Sequence, residues 1–268
     1  MSYTLKPYNQ TIANFFEEYD VQNLMNLTRS ASKIYNLVDY LNSFPPLVWF
    51  ADGSALQGNE FVQLKHTIQP YDTNKLIGWN WSGVDLSKET QGINPIQTDS
   101  IQYKVIQELL LRDFDIIYDD DYSGEIADLI TIKELENEIN VQFYHLKFAR
   151  NGIINTRIDN FYEVCGQAQK SIHWKHKTGL EFFQHLLRRE IKSRNGNERS
   201  RLEKGTRNEL ERLLTIAKNR KPMNFEIFIV QPSFSKLEKS IPIMTLLGVT
   251  ENYLKEVGDI ELNVIVNE

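Results

Sequence analysis

The chain has 268 residues, 41% hydrophobic and 25% charged, with a net charge of -6 and a single cysteine, Cys165. That length supports one large domain or two small ones around a sizeable core. One cysteine excludes an intrachain disulfide framework and a cysteine-rich zinc site. No apolar run approaches the ~20 residues a bilayer span needs, and the N-terminus has no signal-peptide pattern. A cytoplasmic protein with no membrane partner is therefore expected.

Residues 1–45 read as helical. Ile12, Phe15, Phe16 and Tyr19 form one apolar stripe, and Leu24, Leu27, Ile34, Leu37 and Tyr40 a second, up to Pro45-Pro46. Leu47–Phe50 and Phe61–Leu64 read as strands about a turn at 51–54. Residues 69–98, with Pro70, Pro95, Trp79 and Trp81, predict a long irregular connection, part of it functional or packed as a cover. A helix starts at Asp99 or Ser100 and buries Ile101, Val105, Leu109 and Leu110. A short strand over 114–118 leads into Asp119-Asp120-Asp121, read as a solvated turn.

Next come two segments rich in β-branched residues, 124–132 and 139–148, which flank a charged turn and predict a hairpin. Asp128 lies in the first and Lys147 in the second. A helix follows over about 159–175, with Phe161, Val164, Cys165 and Ala168 inward. Helices over 180–193 and 199–218 are expected to form an insertion, about 178–221, punctuated by Asn195-Gly196-Asn197. A strand at 225–230, a helix at 241–254 and a strand at 260–266 complete the chain. Strands that first meander and then alternate with helices imply an α/β (α+β) fold with a mixed central sheet and helices on its faces. The expected organisation is an N-terminal helical/β region, 1–95, that covers the core or binds a partner, and a core over 96–268.

Charge is uneven. Residues 147–221 hold 18 basic against 8 acidic residues, while the remainder is strongly acidic. Arg188, Arg189, Lys192, Arg194, Arg199 and Arg201 crowd one turn of that basic segment. They read as a phosphate-contacting tip, or as a surface for an acidic partner or for the chain's own acidic half. No Gly-rich phosphate loop is present, which argues against an ATPase or a dinucleotide enzyme.

A helix, a β-meander with an acid on its second strand and X-x-Lys on its third resemble the PD-(D/E)XK nuclease superfamily over about residues 99–175. Gly124-Glu125-Ile126-Ala127-Asp128-Leu129-Ile130 is similar to a strand of Mrr-like restriction enzymes. The resemblance implies a restriction-endonuclease-like fold and DNA cleavage with Mg²⁺ or Mn²⁺. It makes Asp128 the metal ligand, Lys147 the motif lysine, and Gln167 and Lys170 supporting groups on the following helix. The first-helix acid of the family falls near Asp99 or Gln102, and Glu108 is the one glutamate on that helix. His145 stands where the family carries Asp, Glu or Gln. Strand parity keeps His145 beside Lys147, so His145 is expected to ligate metal or water, with Glu125 or Asp121 as the alternative carboxylate. The resemblance also implies a role in prokaryotic defence, a helicase-type or translocase partner and a homo-oligomer. Two other readings stay open: a catalytically inactive module that binds nucleic acid or a protein, and a structural subunit of a larger complex.

Overall fold

The computed structural model describes residues 3–8, 12–17, 26–30, 33–49, 54–57, 60–62, 69–219 and 221–268. The chain divides into two units, Met1–Ile68 and Gln69–Glu268.

The described residues of the first unit are mostly strand, against the helical expectation for residues 1–45. Strands β1 (Tyr3–Tyr8) and β2 (Ile12–Glu17) pair antiparallel, as do β3 (Asn26–Ser30) and β4 (Lys33–Asn36). The aromatic and β-branched content that gave Ile12, Phe15, Phe16, Leu27 and Ile34 a helical spacing also suits a pleated strand. Tyr19 and Leu24 lie outside the described residues. Among the described residues of this unit one helix forms, α1 (Leu37–Ser43), where the side chain of Asn36 accepts from the amides of Val38 and Asp39. Strands β5 (Leu47–Trp49), β6 (Ala55–Gln57) and β7 (Glu60–Val62) make a meander. The predicted strand at 61–64 thus ends at Val62 among the described residues, and β6 was not foreseen.

The second unit is built on a seven-stranded mixed sheet. Its elements in chain order are β8 (Leu76–Trp79), α2 (Ile101–Leu110), β9 (Ile116–Asp119), β10 (Leu129–Glu134), β11 (Ile139–Leu146) and α3 (Asp159–Ser171). Then come α4 (Gly179–Arg189), β12 (Ile191–Arg194), β13 (Asn197–Ser200), β14 (Leu202–Lys204), α5 (Arg207–Lys218), β15 (Met223–Ser235), α6 (Ile241–Gly258) and β16 (Glu261–Asn267). The sheet order is β14-β9-β10-β11-β15-β16-β8. Strands β14, β9, β10 and β11 are antiparallel in turn, and β15, β16 and β8 continue parallel to β11.

Alternation along β11 feeds two cores. Val141 and Phe143 join the larger cluster with residues of α3, α4, α5 and α6, and Tyr144 and Leu146 join a smaller one with α2. Helices therefore cover both faces. Trp81 and Leu86 fill the second core, and Tyr71 bonds through its hydroxyl to the Leu262 carbonyl at 3.1 Å. Residues 69–95 thus belong to the unit built on this sheet, and the boundary falls at 68/69 rather than near 95.

The insertion differs from the expected pair of helices. Helix α4 ends at Arg189, and a hairpin, β12–β13, and a sheet strand, β14, replace the rest up to α5. Asn195 and Gly196 take φ of 51° and 77°. Two successive left-handed residues make the tight turn whose twist matches a β-hairpin.

Candidate functional site

Asp119, Asp120 and Asp121 close strand β9 and are not a solvated turn: Asp119 and Asp120 are 1% and 0% exposed. Burying carboxylates demands compensation, and the basic insertion supplies it. The Lys192 ammonium, 1% exposed, donates to both oxygens of Asp119 at 2.9 Å. Gln102 and Gln91 donate to the same carboxylate at 3.0 and 3.2 Å. Arg189 donates to Asp120 Oδ1 at 2.7 Å and to the carbonyls of Asp120, Tyr122 and Ser123. Arg201 donates to the carbonyls of Asp119 and Asp121, both at 2.8 Å. Arg199 pairs with Glu203 at 2.7 Å. Lys192, Arg189 and Arg201 thus hold the chain's own acidic segment, one of the partners the sequence left open for them, while Arg199 is held by Glu203 within the insertion. Of the predicted nucleic-acid contacts, Lys170, Arg188 and Arg194 remain exposed.

Asp121 opens a second acidic group. One oxygen each from Asp121, Glu125 and Asp128 lie within 4.8 Å of one another. The loop before β10 is shaped for this: Gly124 takes φ of 87°, and the amide of Ile126 donates to Asp120 at 2.7 Å. Asp121 is oriented by the hydroxyl of Thr90 at 2.6 Å, the amide of Tyr122 at 2.8 Å and Lys192 at 3.2 Å. Asp128 is buried and accepts one bond, from the Leu146 amide at 2.8 Å. Burial pushes its carboxyl well above the usual range, and Glu125, Glu89 and Asp121 add repulsion. Burial also raises Glu125, with Asp121 and Asp120 adding to it.

Lys147 follows directly on β11. Its ammonium is 2.9 Å from Glu163 on α3 and 3.4 Å from Glu89. Burial disfavours its charge, but the two carboxylates outweigh that and hold its pKa up. Lys147 lines an open cleft of about 310 Å³ with Phe148, Arg150, Asp159, Asn160 and Glu163. Glu89 accepts from the Phe148 amide at 2.9 Å, and burial raises its carboxyl.

His145 faces α3 as Lys147 does, but its Nε2 is 3.0 Å from the Ser171 hydroxyl and its ring is buried. Burial alone drops its pKa to about 3. The structure does not bring His145 into the acidic group, whose third member is Asp121 instead. Gln167 lies one turn after Glu163 and one turn before Ser171 on α3, so it faces the stretch of β11 between Lys147 and His145. Its Oε1 is buried and has no hydrogen-bond partner among the described residues. Gln102 is engaged with Asp119, Asp99 with Lys88 at 2.5 Å, and Glu108 with Lys104 at 2.6 Å. None of the three contacts Lys147. The carboxylates that do are Glu163 and Glu89, the latter one residue before Thr90 in the connecting loop. No sequence period marked Glu89; its only signal was a long loop rich in polar residues.

Among the described residues, no helix is long and apolar enough to cross a membrane. Comparison of the chain with protein-family models, curated proteins and solved structures finds no match.

Proposed function

We propose that this chain is a divalent-metal-dependent nuclease acting on DNA. One observation carries the reading: the neighbours Glu89 and Thr90 hold Lys147 at 3.4 Å and Asp121 at 2.6 Å, and Asp121 is grouped with Glu125 and Asp128. One stretch of the connecting loop therefore ties the lysine after the third strand to the acids before the second. The order of helix, three-strand meander and helix around them supports the resemblance to PD-(D/E)XK nucleases.

The donor set fits Mg²⁺ or Mn²⁺. It consists of carboxylate oxygens, which hard ions prefer, and two of its three carboxyls are raised by burial and mutual repulsion that a cation would relieve. Asp121, Glu125 and Asp128 would hold the ion. Bound there, it would acidify a water and draw charge from the phosphate. Lys147 would exchange Glu163 for a phosphate oxygen and neutralise it. Gln167 would offer its free Oε1 to the attacking water. His145, neutral and bonded to Ser171, spaces β11 from α3 and is left out of the ligand set.

The test is nicking of supercoiled plasmid with Mg²⁺ or Mn²⁺. The nuclease reading expects metal-dependent cutting that is lost in both Asp128→Asn and Lys147→Ala. A second reading, a non-cutting module that binds nucleic acid, is favoured by His145 standing where the family carries a carboxylate or Gln. Salt-sensitive DNA binding with no cutting under either ion would select it. A helicase-type partner and a role in prokaryotic defence rest on family analogy alone.

A further inference from the structure

We propose that the cleft between residues 92–97 and the β12–β13 turn takes an unpaired nucleobase, so that the strand engaged is single-stranded or locally open. The inference rests on the nuclease reading and adds the substrate's form to it. The cleft measures about 200 Å³ and is walled by Asn94, Gln97, Tyr122, Arg194, Asn195 and Asn197, with the backbone of Gly92 to Pro95. Tyr122 directly follows Asp121, so the cleft adjoins the acidic group.

Its chemistry differs from that of the other open clefts described. Glu226, Glu251, Asp259 and Glu261 line one of about 400 Å³, and Asp159 and Glu163 line the one at Lys147. No carboxylate lines this one. In a chain of net charge -6 it offers a polyanion a cation with no carboxylate in the cleft wall itself. Arg194 is exposed, and among the described residues no carboxylate pairs with it; its guanidinium lies 5.1 Å over the Tyr122 ring. Four carboxamides supply both donors and acceptors, the pattern that reads base edges, and a guanidinium plane supplies a stacking surface. Their one mutual bond, Asn94 to Asn197, is long at 3.4 Å.

Tyr122 takes φ of 91°, rare for a residue with a large side chain. It is held there on three sides: its amide by Asp121 at 2.8 Å, its carbonyl by Arg189 at 3.2 Å, and its ring by Lys192 at 4.2 Å. Over-determined backbone of this kind gathers at ligand clamps. A base can enter a cleft only when it leaves the helical stack, which selects unpaired strands over duplex.

The experiment is fluorescence anisotropy of the full chain, without divalent metal, with three probes of equal length: a labelled single strand, the same strand built from abasic units, and the duplex. The single strand should bind about tenfold or more tighter than the other two, the worth of one stacked or edge-read base. Asn197→Ala should pull the single strand toward the abasic level while leaving the abasic strand and the melting temperature unchanged; Arg194→Ala should weaken both strands, the normal one more, so that the base preference shrinks. Equal binding of abasic and normal strands, or a base preference that survives both substitutions, overturns the inference. Plasmid cutting measured in parallel keeps the two readings apart. Base-dependent binding without cutting removes the nuclease and leaves the cleft; cutting with base-independent binding does the reverse.

Discussion

Two acidic groups sit side by side in this protein and are treated in opposite ways. Asp119 and Asp120 are buried and saturated with cations and amides from the insertion and the connecting loop. Glu125 and Asp128, a few residues later, lie close to Asp121 with their carboxyls pushed up and only one hydrogen bond donated to Asp128. The first group is a structural joint that fixes β12–β14 to the end of β9. In the second, Lys192 reaches only Asp121, and among the described residues no cation pairs with Glu125 or Asp128; a buried charge left uncompensated costs stability that folding alone does not require. That contrast separates the candidate site from scaffold more sharply than the count of acids does.

Substitutions at the two groups should move in opposite directions. Lys192→Met leaves Asp119 buried and unpaired, and should cost about 3–5 kcal/mol in urea unfolding. Asp128→Asn removes a repelled charge and should leave stability equal or higher, while cutting activity falls by about 10²–10³-fold, as when a key charge-stabilising group is lost. If Asp128→Asn unfolds the chain as Lys192→Met does, Asp128 is scaffold and the contrast fails.

Ligand and proton linkage sharpen it further. Mn²⁺ at a hundredfold excess over its dissociation constant should stabilise the wild type by about 2.7 kcal/mol and leave Asp128→Asn unmoved, read by thermal melting. With the folded carboxyls of Asp128, Glu125 and Glu89 raised, the native chain holds more protons than the unfolded chain between the ordinary carboxylate range and those raised values. Stability should therefore fall as pH climbs through that window, and the fall should be shallower in Asp128→Asn. The smallest effect is expected at His145. His145→Asn should cost about 1–2 kcal/mol through the bond to Ser171 and leave the Mn²⁺-induced shift intact; loss of the shift would restore His145 to the ligand set.

Much of the second unit was legible in the sequence. The β10–β11 hairpin, α2, α3 and α6 follow from β-branched runs and from apolar spacing, because each element's burial is decided by its own pattern. The insertion misled because α4 is strongly amphipathic and its period was carried past Arg189. The stop signal was Asn195-Gly196, a hairpin turn that reads like a helix break when the flanking strands are polar. Strand β8 hid in a Pro- and Gly-rich stretch and joins the sheet through partners nearly 190 residues away. Within the site, Asp128 and Lys147 were visible as charged residues among apolar neighbours, and Glu125 only as a turn residue that could serve as an alternative carboxylate. Glu89 and Glu163 were not, because tertiary packing alone sets them against Lys147. Lys192 and Arg201 stayed open between phosphate, an acidic partner and the chain's own acidic half, because a basic run gives no sign of which acids it will meet.

The most direct test of the central claim counts bound metal. Mn²⁺ titrated into the full chain and followed by electron paramagnetic resonance should show a site that is lost in Asp128→Asn and kept in Arg188→Ala, a substitution at an exposed cation of α4. No Mn²⁺ binding by the wild type, or binding that survives Asp128→Asn, would contradict the account.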